Sequence, residues 1–184
     1  ISGAIRAAIS FQKKEKNLTP EQSIINLNDC IVDISQNTYW MTFQVVDFDF
    51  NKKNINIASA GHVNVIKLSG LSNLENKTWK DFKFLSTAKS SPLGAKNSII
   101  PSVYSEPLES NSLYICFTDG LNEAKRPDGD MYNYRRIFKS LINSLRESAD
   151  LNFALDKLFS ELSDYTDHQP LEDDISLWAL KYTE

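Results

Sequence analysis

Trp40-Met41-Thr42-Phe43-Gln44-Val45-Val46-Asp47-Phe48-Asp49-Phe50 is the stretch that decides the fold class. Aromatic and β-branched residues crowd it, and Ile55-Asn56-Ile57-Ala58-Ser59-Ala60 repeats the pattern after the polar tetrad Asn51-Lys52-Lys53-Asn54. Such residues fit a pleated, half-buried surface, and a polar Asn/Lys cluster between two such runs is a turn. The two runs are therefore expected to form a β-hairpin. Upstream the period differs. Thr19-Pro20-Glu21-Gln22 is a helix start, with Thr as cap, proline at the first helical position and Gln at the third. The helix it opens has Ile24, Leu27, Ile31 and Ile34 on one face and should end near Gln36. Before it, Ile1, Ala4, Ile5, Ala8, Ile9 and Phe11 recur near the helical period over residues 1–14.

Working downstream, residues 63–68 read as a third strand after the Gly61 turn. Residues 69–80 are polar and rich in Asn, a loop tip tolerant of change, with Trp79 in it. A short strand is expected over 82–85. Residues 103–108 and 113–118 form another pair around Glu109-Ser110-Asn111. Two helices follow, over about 134–147 and 150–163, the second with Leu151, Leu155, Leu158 and Leu162 on one stripe. A polar loop over 164–173 leads into a last strand over 175–182, and Trp40 and Trp178 read as packing within strands. Helices, several antiparallel strands, two helices and a strand make an α+β pattern rather than alternating βαβ units. Sheets covered by helices on both sides would give a layered sandwich. No repeat and no internal domain boundary is visible, so residues 1–184 read as a single domain.

Composition bounds the function. The chain is 41% apolar and 24% charged, with only 6 Gly and 6 Pro, which excludes low-complexity, collagen-like and wholly disordered classes. Its 20 basic against 24 acidic residues leave a net charge of −4, so it lacks the basic footprint of a nucleic-acid binder, and no nucleic-acid partner is expected. Cys30 and Cys116 lie in apolar runs far apart, without CxxC spacing, and read as reduced core cysteines, one remote disulfide between them being left open. No apolar stretch approaches 18 residues and no signal peptide is visible, which points to a soluble cytoplasmic chain. The chain opens at Ile1 without Met and reads as the remainder of something longer.

Two groups of acidic residues stand apart from the helical and loop carboxylates. Asp119 follows the apolar run 113–117 in Thr118-Asp119-Gly120, and Asp173-Asp174 directly precedes the apolar strand 175–180. Carboxylates at strand ends beside glycine can hold a hard cation at a sheet edge. Taken singly, Asp-Gly after a strand is also an ordinary turn, and Asp173-Asp174 an ordinary solvated strand start. His62, at a tight turn after a strand, fits a hydrogen-bonded structural histidine better than a general acid, and His168 a solvated loop residue. No G-x-S-x-G, P-loop or dinucleotide-binding glycine pattern occurs.

The candidates gain weight from their order. Ala58-Ser59-Ala60-Gly61-His62 is followed by Ser91-Pro92-Leu93-Gly94, then by Thr118-Asp119-Gly120-Leu121-Asn122-Glu123-Ala124, Pro127-Asp128-Gly129 and Asp173-Asp174-Ile175-Ser176-Leu177. This succession resembles the SpoIIE/RsbU-like branch of the metal-dependent (PPM) serine/threonine protein phosphatases, with its AGHxP, PLG, TDGxxEA, PDG-type and DDxT/S elements. Leu27-Asn28 and Trp40-Met41-Thr42-Phe43 match its LN and MT-F elements, and the similarity covers essentially the whole chain. It departs at Asn64, where the family has proline.

The resemblance implies a layered α-β-β-α sandwich of antiparallel sheets flanked by helices, binding two Mn²⁺ or Mg²⁺ ions at one edge. It implies Asp119 and Asp173 as catalytic metal ligands, with Gly120, Glu123, Asp174 and His62 supporting the motifs around them. It further implies hydrolysis of phosphoserine or phosphothreonine on a regulatory protein of the STAS-type anti-anti-sigma class by metal-activated water, serving sigma-factor regulation. A sensor or regulatory domain would precede the segment. Homodimerisation and tethering to the inner membrane through preceding segments are left open. The family's first metal motif, a GDxxD stretch and a D-x-S/T-G-H-G turn, lies before the helix matching residues 1–11, so the chain is expected to be N-terminally truncated by two sandwich strands. The alternative on the same motifs is a catalytically inactive relative acting as a binding or dimerisation module.

Overall fold

The computed structural model of the protein describes residues 9–10, 18–85 and 90–184. Of the helix expected over 1–14 only Ile9 and Ser10 are described, and both are helical. Along the chain the elements are α1 (Pro20–Ser35), β1 (Phe43–Asp49), β2 (Asn54–Ala60), β3 (Val65–Ser69), two 3-10 turns (Leu71–Asn73 and Trp79–Asp81), β4 (Lys83–Leu85), β5 (Ser102–Pro107), β6 (Ser112–Phe117), α2 (Asp119–Glu123), α3 (Asn133–Glu147), α4 (Leu151–Tyr165) and β7 (Leu177–Tyr182). They fall into two compact units: Ile1–Asn64 with Ser86–Leu108, and Val65–Leu85 with Glu109–Glu184. All strand pairing is antiparallel, and the content is α+β as the pattern predicts.

In the first unit the expected hairpin forms, Phe43 opposite Ala60 through Asp49 opposite Asn54. β5 pairs the other side of β2, giving the order β1-β2-β5. α1 starts as its sequence dictates: the Thr19 hydroxyl accepts from the Gln22 amide at 3.1 Å, with Pro20 in the first turn, and Gln36 closes the helix in the left-handed region. Its buried stripe is Ile24, Leu27, Asn28, Ile31 and Ser35, packed with Ala58, Ala60 and Leu93. Ile34, expected on that stripe, is 53% exposed, because in the last turn Ser35 turns inward instead. Trp40 also departs from expectation: it precedes the strand and is 66% exposed, while its neighbour Met41 makes a two-way backbone bridge to Leu93.

Asn28 is the polar residue of that stripe, and it is fully buried. Its side chain accepts from the Gly94 amide at 3.0 Å and donates to the Lys96 carbonyl at 3.2 Å. Gly94 has φ +79°, and a Cβ there would lie 2.4 Å from the Tyr39 carbonyl oxygen and 2.6 Å from an Ile31 methyl, so only glycine fits.

In the second unit the order is β4-β3-β6-β7. β6 is buried over all six residues, and the core joins Leu113, Ile115 and Phe117 to Ile137, Phe138 and Leu141 of α3 and to Ala154, Leu158 and Leu162 of α4. Of the expected leucine stripe Leu158 and Leu162 are buried, while Leu151 and Leu155 pack half-buried against the same core. The expected pairing of residues 103–108 with 113–118 is not observed, since β5 belongs to the first sheet and β6 to the second. Each flank of the connection is committed to its own unit: the Leu108 amide donates to Lys53 and the Leu71 amide to Asn111, both at 2.8 Å. Trp79, expected in an irregular loop, sits in a 3-10 turn that Thr78 and Asp81 cap reciprocally, and packs half-buried against the core.

Replacing Asn28 with alanine leaves the Gly94 amide without its buried partner. A loss of about 1–3 kcal/mol in unfolding free energy is expected, to be measured by urea denaturation. An unchanged midpoint and slope would contradict the assignment.

Candidate functional site

Phe117 and Leu177 are partners at the end of the β6–β7 ladder. Whatever follows the first and precedes the second is thus delivered to one end of the sheet: Thr118-Asp119-Gly120 from one side, Asp173 through Ser176 from the other. Thr118 continues the ladder beyond the strands. Its amide donates to the Ser176 carbonyl at 2.9 Å. Its hydroxyl accepts from the Ser176 amide at 2.9 Å and donates to the Asp174 carbonyl at 3.1 Å. A hydroxyl can do both at once, and here it does.

Gly120 explains the closeness of the two segments. A Cβ built on it would stand 2.9 Å from the Asp174 carbonyl oxygen and 3.3 Å from Asp173 Cβ. Rather than a turn, Asp119-Gly120 opens the five-residue helix α2, with Thr118 as its cap residue. The clamp and the glycine together bring Asp119 and Asp173 to one sheet end, and both are exposed there, as are Glu123 and Asp174.

The field at this end is negative. Lys125 has its pKa raised, first by the 2.8 Å bond to Glu172 and further by the nearby charges of Glu123 and Asp173. The Tyr134 hydroxyl is raised as well, first by burial, with Cys116, Glu123 and Asp119 adding to it. A concentration of carboxylates beside one lysine attracts cations, and oxygen donors suit hard divalent ones. In donor type the residues fit such an ion. In number they supply only part of a shell: among the described residues no group of three or more His, Cys, Asp or Glu is placed to hold a metal together.

Beyond α2, residues 125–131 form a tight loop. Lys125 bridges Met131, the Gly129 amide donates to the Arg126 carbonyl at 2.8 Å, and Gly129 takes φ +88°. Asp128 accepts from the Asp130 amide and from Arg126 Nε, which hold its carboxyl below the usual range. Asp130 is held low first by the Tyr165 hydroxyl and then by Arg136.

His62 belongs to the other unit, after β2 and Gly61, with Nδ1 3.3 Å from the Thr42 hydroxyl and its carbonyl accepting from Ser59 Oγ. His168 is exposed, and its Nδ1 lies 2.8 Å from Ser163 Oγ. Both cysteines are free thiols, and burial pushes Cys116 up to about 11. Cys116 is therefore protonated at neutral pH and no nucleophile. Thr118, quoted above only as a member of its motif, gains a role at the sheet end, where Lys125 and Glu172 join it without having been singled out. A threonine directly before Asp-Gly at a strand end was the available signal for the first.

The family model described as Stage II sporulation protein E (SpoIIE) matches residues 1–183. No curated protein matches the chain. Among solved structures, the chain is similar to the SiaA-PP2C domain of Pseudomonas aeruginosa, with 17% identity and a TM-score of 0.73, covering 98% of this chain and 66% of that one. It is similar to a structure of the PP2C phosphatase domain and a fragment of the regulatory domain of the cell fate determinant SpoIIE from Bacillus subtilis, with 18% identity and a TM-score of 0.68, covering 97% and 49%. A third is the catalytic domain of the serine threonine protein phosphatase PstP in complex with two manganese ions, with 9% identity and a TM-score of 0.65, covering 100% and 80%. At these identities the likeness establishes the fold, which is the phosphatase-like α+β class expected from the motifs. The chain spans less than two thirds of the first two of these structures.

Thr118→Val keeps the side-chain volume and removes the hydroxyl. It is expected to cost about 1–2 kcal/mol and to speed amide hydrogen exchange at Ser176. Unchanged protection at Ser176 would mean that the clamp does not hold the strand ends.

Proposed function

The chain belongs to the SpoIIE family, within the PPM branch of metal-dependent phosphatases, and on that premise we propose that it is a phosphatase domain hydrolysing phosphoserine or phosphothreonine on a regulatory protein. The observation that carries this reading is the Thr118 clamp, which ties the segment bearing Asp119 to the segment bearing Asp173 at one sheet end. Asp119 and Asp173 would each give carboxylate oxygen to Mn²⁺ or Mg²⁺, two ions serving the complete domain. A bound divalent cation would polarise phosphoryl oxygens and acidify water.

The chain's own residues set the stage for that chemistry. Thr118 fixes the spacing of the two carboxylate-bearing segments, and Gly120 leaves the room for it. Glu123 and Asp174 add negative charge that favours a cation, while Lys125, tied to Glu172, limits their mutual repulsion. Gly61 and His62 order the turn after β2. The substrate class, a STAS-type anti-anti-sigma protein, and a preceding sensor or regulatory domain follow from the motif resemblance; the B. subtilis structure, with its fragment of a regulatory domain, supports that context. No helix among the described residues is long and apolar enough to cross a membrane. Two of the structures compared above are described as domains of phosphatases, which does not favour the inactive-module reading.

Calorimetric titration with Mn²⁺, together with phosphate release from a phosphoserine peptide, tests the proposal on the chain and its Asp119→Asn variant. Loss of a ligand should weaken Mn²⁺ binding by about 10–100-fold and lower Mn²⁺-dependent turnover at least as much. Equal binding and equal turnover in the variant would overturn it.

A further inference from the structure

A cleft of about 420 Å³ opens in the second unit between α3 and the capped turn at residues 77–81. Its lining includes Lys77, Lys80, Lys139 and Arg146, together with Trp79 and Ile142, and no carboxylate. In a chain of net charge −4 a carboxylate-free cleft with four cations is a local feature, not a consequence of general basicity.

The cleft is also built. Arg146 donates through Nε and Nη2 to the carbonyl of Leu74 and through Nη2 to those of Glu75 and Lys77, at 2.8 to 3.1 Å, fixing the 74–77 segment as a wall. Asp81, whose carboxyl feels the charge of Lys77, is engaged in the cap: its carboxylate accepts from the Thr78 amide at 2.7 Å and hydroxyl at 2.9 Å. Lys80 Nζ and Arg135 Cζ lie 5.7 and 5.4 Å from the Trp79 ring centroid, so cationic groups flank an aromatic face. Among the described residues neither Lys80 nor Lys139 forms an ion pair with a carboxylate, and both are exposed.

We propose that this cleft docks an acidic segment of a protein partner. Its apolar floor, Trp79 and Ile142, would take the aliphatic stems of the segment, and Lys77, Lys80 and Lys139 its carboxylates, a complementarity that favours encounter and orientation. Neither the phosphatase reading nor a metal is needed for it. A peptide is favoured over a nucleic acid because the cleft offers one aromatic ring, whereas single strands are tracked by successive stacking platforms along a basic groove.

The test is fluorescence anisotropy with a fluorescein-labelled octaglutamate peptide and the metal-free chain. Saturable binding that weakens with added salt is expected. The Lys80→Glu/Lys139→Glu double variant should weaken it by about tenfold or more, since several exposed pairs are lost and made repulsive. Lys52→Glu, at a lysine of the other unit, and Asp119→Asn should leave it unchanged, which separates this site from the metal-binding reading. No saturable binding, equal binding by the double variant, or stronger binding of an oligothymidylate than of the peptide would each overturn the proposal.

Discussion

The hydroxyl of Thr118 closes a gap that the β6–β7 ladder leaves open. The named strands end at Phe117 opposite Leu177, one further backbone bond runs from the Thr118 amide to the Ser176 carbonyl, and beyond it the chain enters α2 on one side and an irregular segment on the other. One side chain, donating to Asp174 and accepting from Ser176, carries the apposition two residues further. Gly120 is the steric counterpart, since a side chain there would meet the Asp174 carbonyl at 2.9 Å. Asp119 and Asp173, 54 positions apart by their numbering, are brought to one sheet end by the ladder together with this arrangement. Every chemical role considered for them depends on it.

The first unit shows a comparable economy around Leu93 and Gly94. Met41 bridges Leu93 through both backbone groups, Asn28 binds the Gly94 amide, and Gly61 approaches Pro92 so closely that a Cβ would lie 3.3 Å from its ring. The family elements in this unit thus meet at one node whose members satisfy or accommodate each other's backbone. Their recurrence in order has a packing explanation: a buried amide must be paired, and glycine is required where φ is positive and carbonyls crowd. Asp119 and Asp173 in the second unit are exposed and serve no such backbone pairing, and that contrast directs chemistry toward them.

Local signals were legible in the sequence. Thr19-Pro20 specified the start of α1, the Asn51-Lys52-Lys53-Asn54 tetrad specified the hairpin, and the leucine spacing of α4 specified its buried stripe. Partner choice was not legible. Residues 103–108 and 113–118 have strand composition and a short connection, yet their ladders run to β2 and to β3, which no local pattern announces. Burial at element ends escaped for the same reason: Ile34 and Trp40 have core composition, but exposure is decided by what lies across from them. Within the candidate site, Asp119 and Asp173 were found by motif order, whereas the Thr118 clamp joins residues 56 and 58 positions apart and needed the fold. The cleft beside Trp79 was hidden because a capped 3-10 turn reads as a polar loop until Asp81 is seen bonded back to Thr78.

Paramagnetic broadening by Mn²⁺ in the amide spectrum of the ¹⁵N-labelled chain tests the central claim most directly, because it reports where a cation sits at substoichiometric metal. The account predicts that the amides of Asp119, Gly120, Asp173 and Asp174 broaden together and first, while that of Asn111, beyond the opposite end of β6, stays sharp. Broadening confined to one of the two segments, or spread over exposed carboxylates such as Asp47 and Asp150 to the same degree, would contradict it.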